Sequence, residues 1–158
     1  MLKLKVHLNQ MHIATKSSKI NTSSEKQLEE FAQKIGAKIK KGDTFFLFGE
    51  MGVGKTSFVK YLINNLQKKF KQKLTEVTSP TFNIMNEYRV EDLLIKHFDL
   101  YRLQTTDELN NLNLFDINEE AITLIEWPEI IKKKPNSLIE LHFEYENEYQ
   151  NRFIKIID

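Results

Sequence analysis

The stretch Phe45-Phe46-Leu47-Phe48-Gly49-Glu50-Met51-Gly52-Val53-Gly54-Lys55-Thr56-Ser57 joins a short apolar run to a glycine-rich turn. Residues 49–56 fit the phosphate-binding pattern G-x-x-x-x-G-K-[ST], with Gly49, Gly54, Lys55 and Thr56 at the defining positions. Upstream, residues 45–48 read as a buried strand. Downstream, Phe58, Val59, Leu62, Ile63, Leu66 and Phe70 recur at helical spacing. The mechanism needs this order, because phosphate meets backbone N–H groups at a helix N-terminus, where they lack internal partners. A phosphate-binding role follows, with Gly49, Glu50, Met51, Gly52, Val53, Gly54, Lys55, Thr56 and Ser57 as its candidate residues.

Size and charge bound the remaining choices. At 158 residues the chain is expected to form one domain over residues 23–158, preceded by an N-terminal strand or loose extension over residues 1–22. With 23 basic and 22 acidic residues the net charge is +1, so no global field drives the molecule onto nucleic acid or an anionic membrane. The chain has no Cys, which excludes disulfides, thiolate metal sites and thiol nucleophiles and suits a reducing cytosol. Apolar runs fall well short of a membrane span, and the N-terminus lacks the apolar core of a secretory signal. A soluble cytoplasmic protein without membrane contact is therefore expected.

Outward from the glycine loop, other elements are legible. Leu2, Leu4, Val6 and Leu8 alternate as a half-buried strand would. Ser24 with Gln27 forms a capping-box pattern, and Leu28, Phe31, Ala32, Ile35 and Ile39 trace one apolar helix face ending before Gly42. The lysine-rich residues 68–73 suit a helix C-terminus, and Lys132, Lys133 and Lys134 read as a solvated charged stretch. Pro80 keeps Ser79 out of helix, and residues 82–88 and 93–98 read as strands, short enough in their connection to form an antiparallel hairpin. Thr105 with Glu108 is a second capping box. Residues 121–125 are a third apolar run, and residues 138–145 with 152–157 predict a C-terminal antiparallel hairpin.

Three apolar runs end at residues with phosphate or metal chemistry: residues 45–48 at the glycine loop, 93–98 at Asp99, and 121–125 at Glu126. Parallel strands would bring these ends to one sheet edge, where open α/β sheets bind ligands. The expected architecture is α/β, with a mixed, mainly parallel sheet flanked by helices on both faces. Lys55 and the amides of residues 52–56 suit the β and γ phosphates of a nucleoside triphosphate, and the Thr56 hydroxyl suits Mg²⁺. A strand-end carboxylate completes such a site, Glu126 as the acidic partner of the loop and Asp99 to orient water or hold a metal-bound water. Thr81 is a candidate for sensing the γ-phosphate. Trp127, the only Trp, reads as core packing, as a ring beside the nucleotide or as a ring facing a partner. His7, His12, His97 and His142 show no metal-ligand spacing and read as structural.

Four blocks, residues 49–56, Ser79-Pro80-Thr81-Phe82, His97-Phe98-Asp99-Leu100-Tyr101-Arg102-Leu103 and Ile125-Glu126-Trp127-Pro128, together resemble the TsaE (YjeE) family over residues 20–145. The resemblance implies a P-loop NTPase-like fold and a small bacterial ATPase that uses ATP and Mg²⁺. It further implies work with TsaB and TsaD in threonylcarbamoyl modification of the adenosine next to the anticodon (t6A) in ANN-decoding tRNAs. In that reading the chain does not transfer the group itself; its hydrolysis resets the assembly, and tRNA contact is indirect. By motif position, Lys55 would bind phosphate, Thr56 and Glu126 would hold Mg²⁺, Asp99 would be needed for hydrolysis, Thr81 would lie in a switch-like loop, and Trp127 would sit near the nucleotide. The family usually has Asp, Leu and Ala where this chain has Glu50, Met51 and Val53, and the bulk of Val53 raises a question about affinity.

Two rivals stand beside this reading. A small-molecule kinase of the P-loop class would transfer the γ-phosphoryl group, but such enzymes commonly clamp it with arginines. This chain has only Arg89, Arg102 and Arg152. A GTPase would carry an Asn-Lys-x-Asp guanine-reading sequence, which the chain lacks.

Overall fold

Strand β2 (Thr44–Phe48) is the axis of the molecule, and its residues explain why. Phe45 and Leu47 enter one hydrophobic cluster while Phe46 enters another on the opposite face. A strand apolar on both faces belongs at the centre of a sheet covered on both sides. The computed structural model describes residues 19–115 and 120–157, so the strand expected from Leu2 to Leu8 lies outside the described residues.

The sheet has seven strands in the order β1-β7-β6-β2-β5-β4-β3. Its strands are β1 (Lys19–Asn21), β2, β3 (Met85–Val90), β4 (Leu93–Asp99), β5 (Ile122–Glu126), β6 (Leu138–Glu146) and β7 (Asn151–Ile157). β2 runs parallel to both β5 and β6, and β4 runs parallel to β5. The hairpins β3–β4 and β6–β7 are antiparallel, and the short β1 closes the edge antiparallel to β7. The mixed, centrally parallel sheet is therefore the expected one.

Two long helices, α1 (Glu25–Gly36) and α2 (Lys55–Lys69), cover one face. Both halves of the α1 capping box form: the Ser24 hydroxyl accepts from the Gln27 amide, and the Gln27 side chain accepts from the Ser24 amide. Leu28, Phe31, Ala32 and Ile35 pack with Phe58, Leu62 and Leu66, the rings of Phe31 and Phe58 lying 5.7 Å apart. The helix stops at Gly36, short of Ile39, because the chain must turn back toward β2; Ile39 still packs against the core from the connecting turn.

The second face is covered differently. Phe46, Phe98, Leu100, Leu114, Ile125 and Ile131 form its cluster, sheltered by the five-residue helix α3 (Thr106–Asn110), a 3₁₀ turn (Pro128–Ile130) and their connections. Helices do lie on both faces, but on this one loop side chains supply much of the cover. The strand expected from Phe82 starts only at Met85, after a turn. Ile84, at φ 67°, reverses the chain there and presents its carbonyl to the Asp99 amide at 2.9 Å. No helix among the described residues is long and apolar enough to cross a membrane.

Candidate functional site

The parallel register puts three strand ends on one edge. Asp99 pairs with Glu126 across β4 and β5, and Leu47 pairs with Glu126 across β2 and β5, so both acids stand beside the start of the glycine loop. A cleft of about 290 Å³ opens there, lined by residues that include Gly52, Lys55, Thr56, Asp99, Glu126 and Trp127.

The glycines make the loop. Gly49 has φ 139°, and a Cβ on it would lie 2.5 Å from the Phe143 carbonyl oxygen, so β6 leaves no space for a side chain. Gly54 caps α2 in the left-handed region, at φ 118°, with no side-chain hydrogen bond to the helix start. The first amides of α2 are thus not claimed by a capping side chain, the condition for anion binding at a helix N-terminus. Val53, 2% exposed, turns its side chain into the core below the loop. Its bulk therefore does not enter the cleft.

Lys55 is 4% exposed, and its Nζ donates to the carbonyls of Gly49 and Glu50, the latter at 2.9 Å. The Trp127 ring lies 4.1 Å from the same nitrogen, a cation–π contact. Burial pushes the ammonium below its ordinary value of 10.5, while the carboxylates of Glu126, Asp99 and Glu129 pull it back up. Trp127 itself has φ 57° and packs against the Tyr101 ring at 4.9 Å.

Each acid is held by hydroxyl groups. Thr56 Oγ1 donates to Glu126 Oε1 at 2.8 Å, bridging the helix start to the end of β5. Ser79 and Thr81 both donate to Asp99 Oδ2, at 2.7 and 2.8 Å, and the Tyr101 amide donates to Oδ1 at 3.0 Å. Asp99 and Glu126 are 4% and 3% exposed. Oxygen donors from a hydroxyl and one or two carboxylates suit Mg²⁺, which keeps several waters and takes further oxygens from phosphate. Among the described residues no group of three or more His, Cys, Asp or Glu side chains is placed to hold a metal ion.

Of the sequence candidates, Met51, Gly52, Gly54, Lys55, Thr56, Ser57, Thr81, Asp99, Glu126 and Trp127 line one cleft. Gly49, Glu50 and Val53 do not; the first two act through their carbonyls on Lys55 and the third through the core. Sequence reasoning passed over Ser79 and Tyr101, which also line the cleft, although both lie inside the quoted blocks. It also read His97 only as structural. The buried His97 ring meets Glu126 from beneath, Nε2 to Oε1 at 2.9 Å, a contact between residues 29 positions apart.

The model of the family "Threonylcarbamoyl adenosine biosynthesis protein TsaE" matches residues 22–154. The chain belongs to the TsaE family. Among similar TsaE proteins, that of Rickettsia bellii is 38% identical over 123 residues, covering 77% of this chain and 83% of the relative. That of Borreliella burgdorferi is 37% identical over 109 residues, covering 68% and 75%. The crystal structure of Bacillus subtilis YdiB superposes with a TM-score of 0.67 at 24% identity, covering 88% of this chain and 83% of that one, a likeness of fold. The TsaE match spans the glycine loop, both acids and Trp127, so every cleft residue named above lies within it.

Proposed function

We propose that this TsaE-family chain is a magnesium-dependent ATPase acting with TsaB and TsaD in t6A modification of ANN-decoding tRNAs, its hydrolysis resetting that assembly. The observation that carries the reading is the 2.8 Å bond from Thr56 to Glu126 at the start of α2, which places a hydroxyl and a carboxylate together beside Lys55. A hydroxyl and a carboxylate side by side are oxygen donors that would suit Mg²⁺. The relatives support the pathway, since those of Rickettsia bellii and Borreliella burgdorferi are tRNA threonylcarbamoyladenosine biosynthesis proteins.

The chain's own groups divide the work. Lys55 exchanges the Gly49 and Glu50 carbonyls for phosphate oxygens, keeping a buried ammonium paired throughout. Free amides at the start of α2 hold the same oxygens. Thr56, through its hydroxyl, and Glu126, through its carboxylate, are the residues that would hold the cation. Mg²⁺, when bound, would supply charge neutralisation on the transferring phosphoryl oxygens. Asp99, once the Ser79 and Thr81 hydroxyls release Oδ2, accepts a hydrogen bond from water and orients it. Thr81 is then free to meet the γ-phosphate, and Trp127 covers the Lys55 side of the cleft. None of the lining residues is an arginine, which favours release of phosphate to water over transfer to a small-molecule acceptor. In this scheme the chain's own link to tRNA is indirect, and it works in the cytoplasm away from any membrane.

The test is phosphate release by wild type and Lys55→Ala, with capture of the TsaB–TsaD pair in ATP, ADP and no nucleotide. Magnesium-supported ATP binding by wild type, lost in Lys55→Ala, with capture that depends on the nucleotide, is the expected result. No ATP uptake with Mg²⁺ and partners present would end the ATPase reading. No capture in any nucleotide state would end the assembly reading.

A further inference from the structure

His97 is fully buried, on a strand that ends two residues later at Asp99. Its Nε2 lies 2.9 Å from Glu126 Oε1, whereas its Nδ1 is buried with no hydrogen-bond partner among the described residues. Nε2 is the ring nitrogen that faces the carboxylate, and an N–H on it would donate to Oε1. A residue needed only to fill space would be apolar and leave no orphan. Among the described residues the ring's one polar contact is with Glu126, and that contact gives the imidazole its use.

We propose that His97 is the positioning residue for Glu126, fixing the carboxylate at the cleft floor so that it can share a cation with Thr56. Two donors converge on Oε1, the imidazole from below and the Thr56 hydroxyl from the helix. Both of these contacts fall on Oε1. When the Thr56 hydroxyl turns toward a cation, His97 is the contact that still holds the carboxylate in place. Groups that orient a metal-binding side chain commonly influence metal affinity by about 10- to 100-fold, so the effect is measurable. His97 touches neither nucleotide nor reacting water, and its influence passes through Glu126 alone.

This inference rests on the ATPase reading, and the experiment separates the two. Calorimetric binding of ATP is compared with and without Mg²⁺ for wild type, His97→Leu, His97→Gln and His97→Asn. Gln can reach the Nε2 position with an N–H donor, whereas the Asn amide stops near Nδ1. Expected is a gain in affinity from Mg²⁺ that falls about tenfold or more in the Leu and Asn variants. The Gln variant should recover most of it, and metal-free binding should stay within about twofold of wild type in all of them. A merely structural histidine would move both conditions together. Should the Leu variant fail to fold, the Gln–Asn pair decides. Wild-type magnesium-supported binding left unaltered by these substitutions, or equal loss in Gln and Asn, overturns the inference alone; absence of such binding in wild type overturns the ATPase reading with it.

Discussion

Lys55 is a charge held under cover by the loop that it serves. Burial lowers its proton affinity and the nearby acids Glu126, Asp99 and Glu129 raise it, while two backbone carbonyls accept hydrogen bonds from it and the Trp127 ring lies over it. An arriving phosphate adds negative charge and raises that affinity, so binding should take up protons as pH climbs toward the ordinary value of 10.5. Nucleotide affinity should weaken over the same window, and calorimetry in two buffers of unlike ionisation enthalpy will show the uptake. For stability the sign is opposite: the folded state releases this proton before the unfolded chain does, so the lysine's burial cost is relieved as pH rises through that window. Gly49 gives a second test at this scale. Gly49→Ala would drive a Cβ into the Phe143 carbonyl at a positive φ, and chemical denaturation should report a loss of about 2–4 kcal/mol. The motif marked the need for glycine there, but only the packing of β6 identifies what a side chain would strike.

Elements position these residues with unequal firmness. α1 is anchored by a complete capping box, and Ser24→Ala should cost about 1 kcal/mol in denaturant melts while leaving nucleotide affinity unchanged, since Ser24 does not line the cleft. The loop carrying Ser79 and Thr81 depends on Asp99, which binds both hydroxyls. Removing both, as Ser79→Ala with Thr81→Val, should make residues 78–84 more readily cleaved in limited proteolysis, while α1 and α2 keep their protection. The capping boxes and both hairpins were readable because their signals lie within a few residues. The start of β3 was not, because Phe82, although β-forming by type, is 85% exposed beside a turn tied to Asp99. Apolar identity alone does not distinguish an exposed ring from a strand's first residue.

Across the whole molecule, the cleft joins the β2–α2 loop to the ends of β4 and β5 and to the loop before β3. A ligand gripping all of these binds only the assembled sheet. ATP with Mg²⁺ at a hundred times its dissociation constant should therefore add roughly 2.7 kcal/mol, raising the melting temperature by roughly 5–10 °C in scanning calorimetry. Lys55→Ala should abolish the rise. The phosphate loop, the helix caps, the terminal hairpin and the two acids at strand ends were legible in the chain, because each is written in neighbours along the backbone. Tertiary structure alone decided that β5 lies between β2 and β4, that Glu126 meets Thr56 and Asp99 meets Ser79, and that His97 sits beneath Glu126. Strand order and register are set by burying two apolar faces at once, and that constraint links residues far apart in the chain.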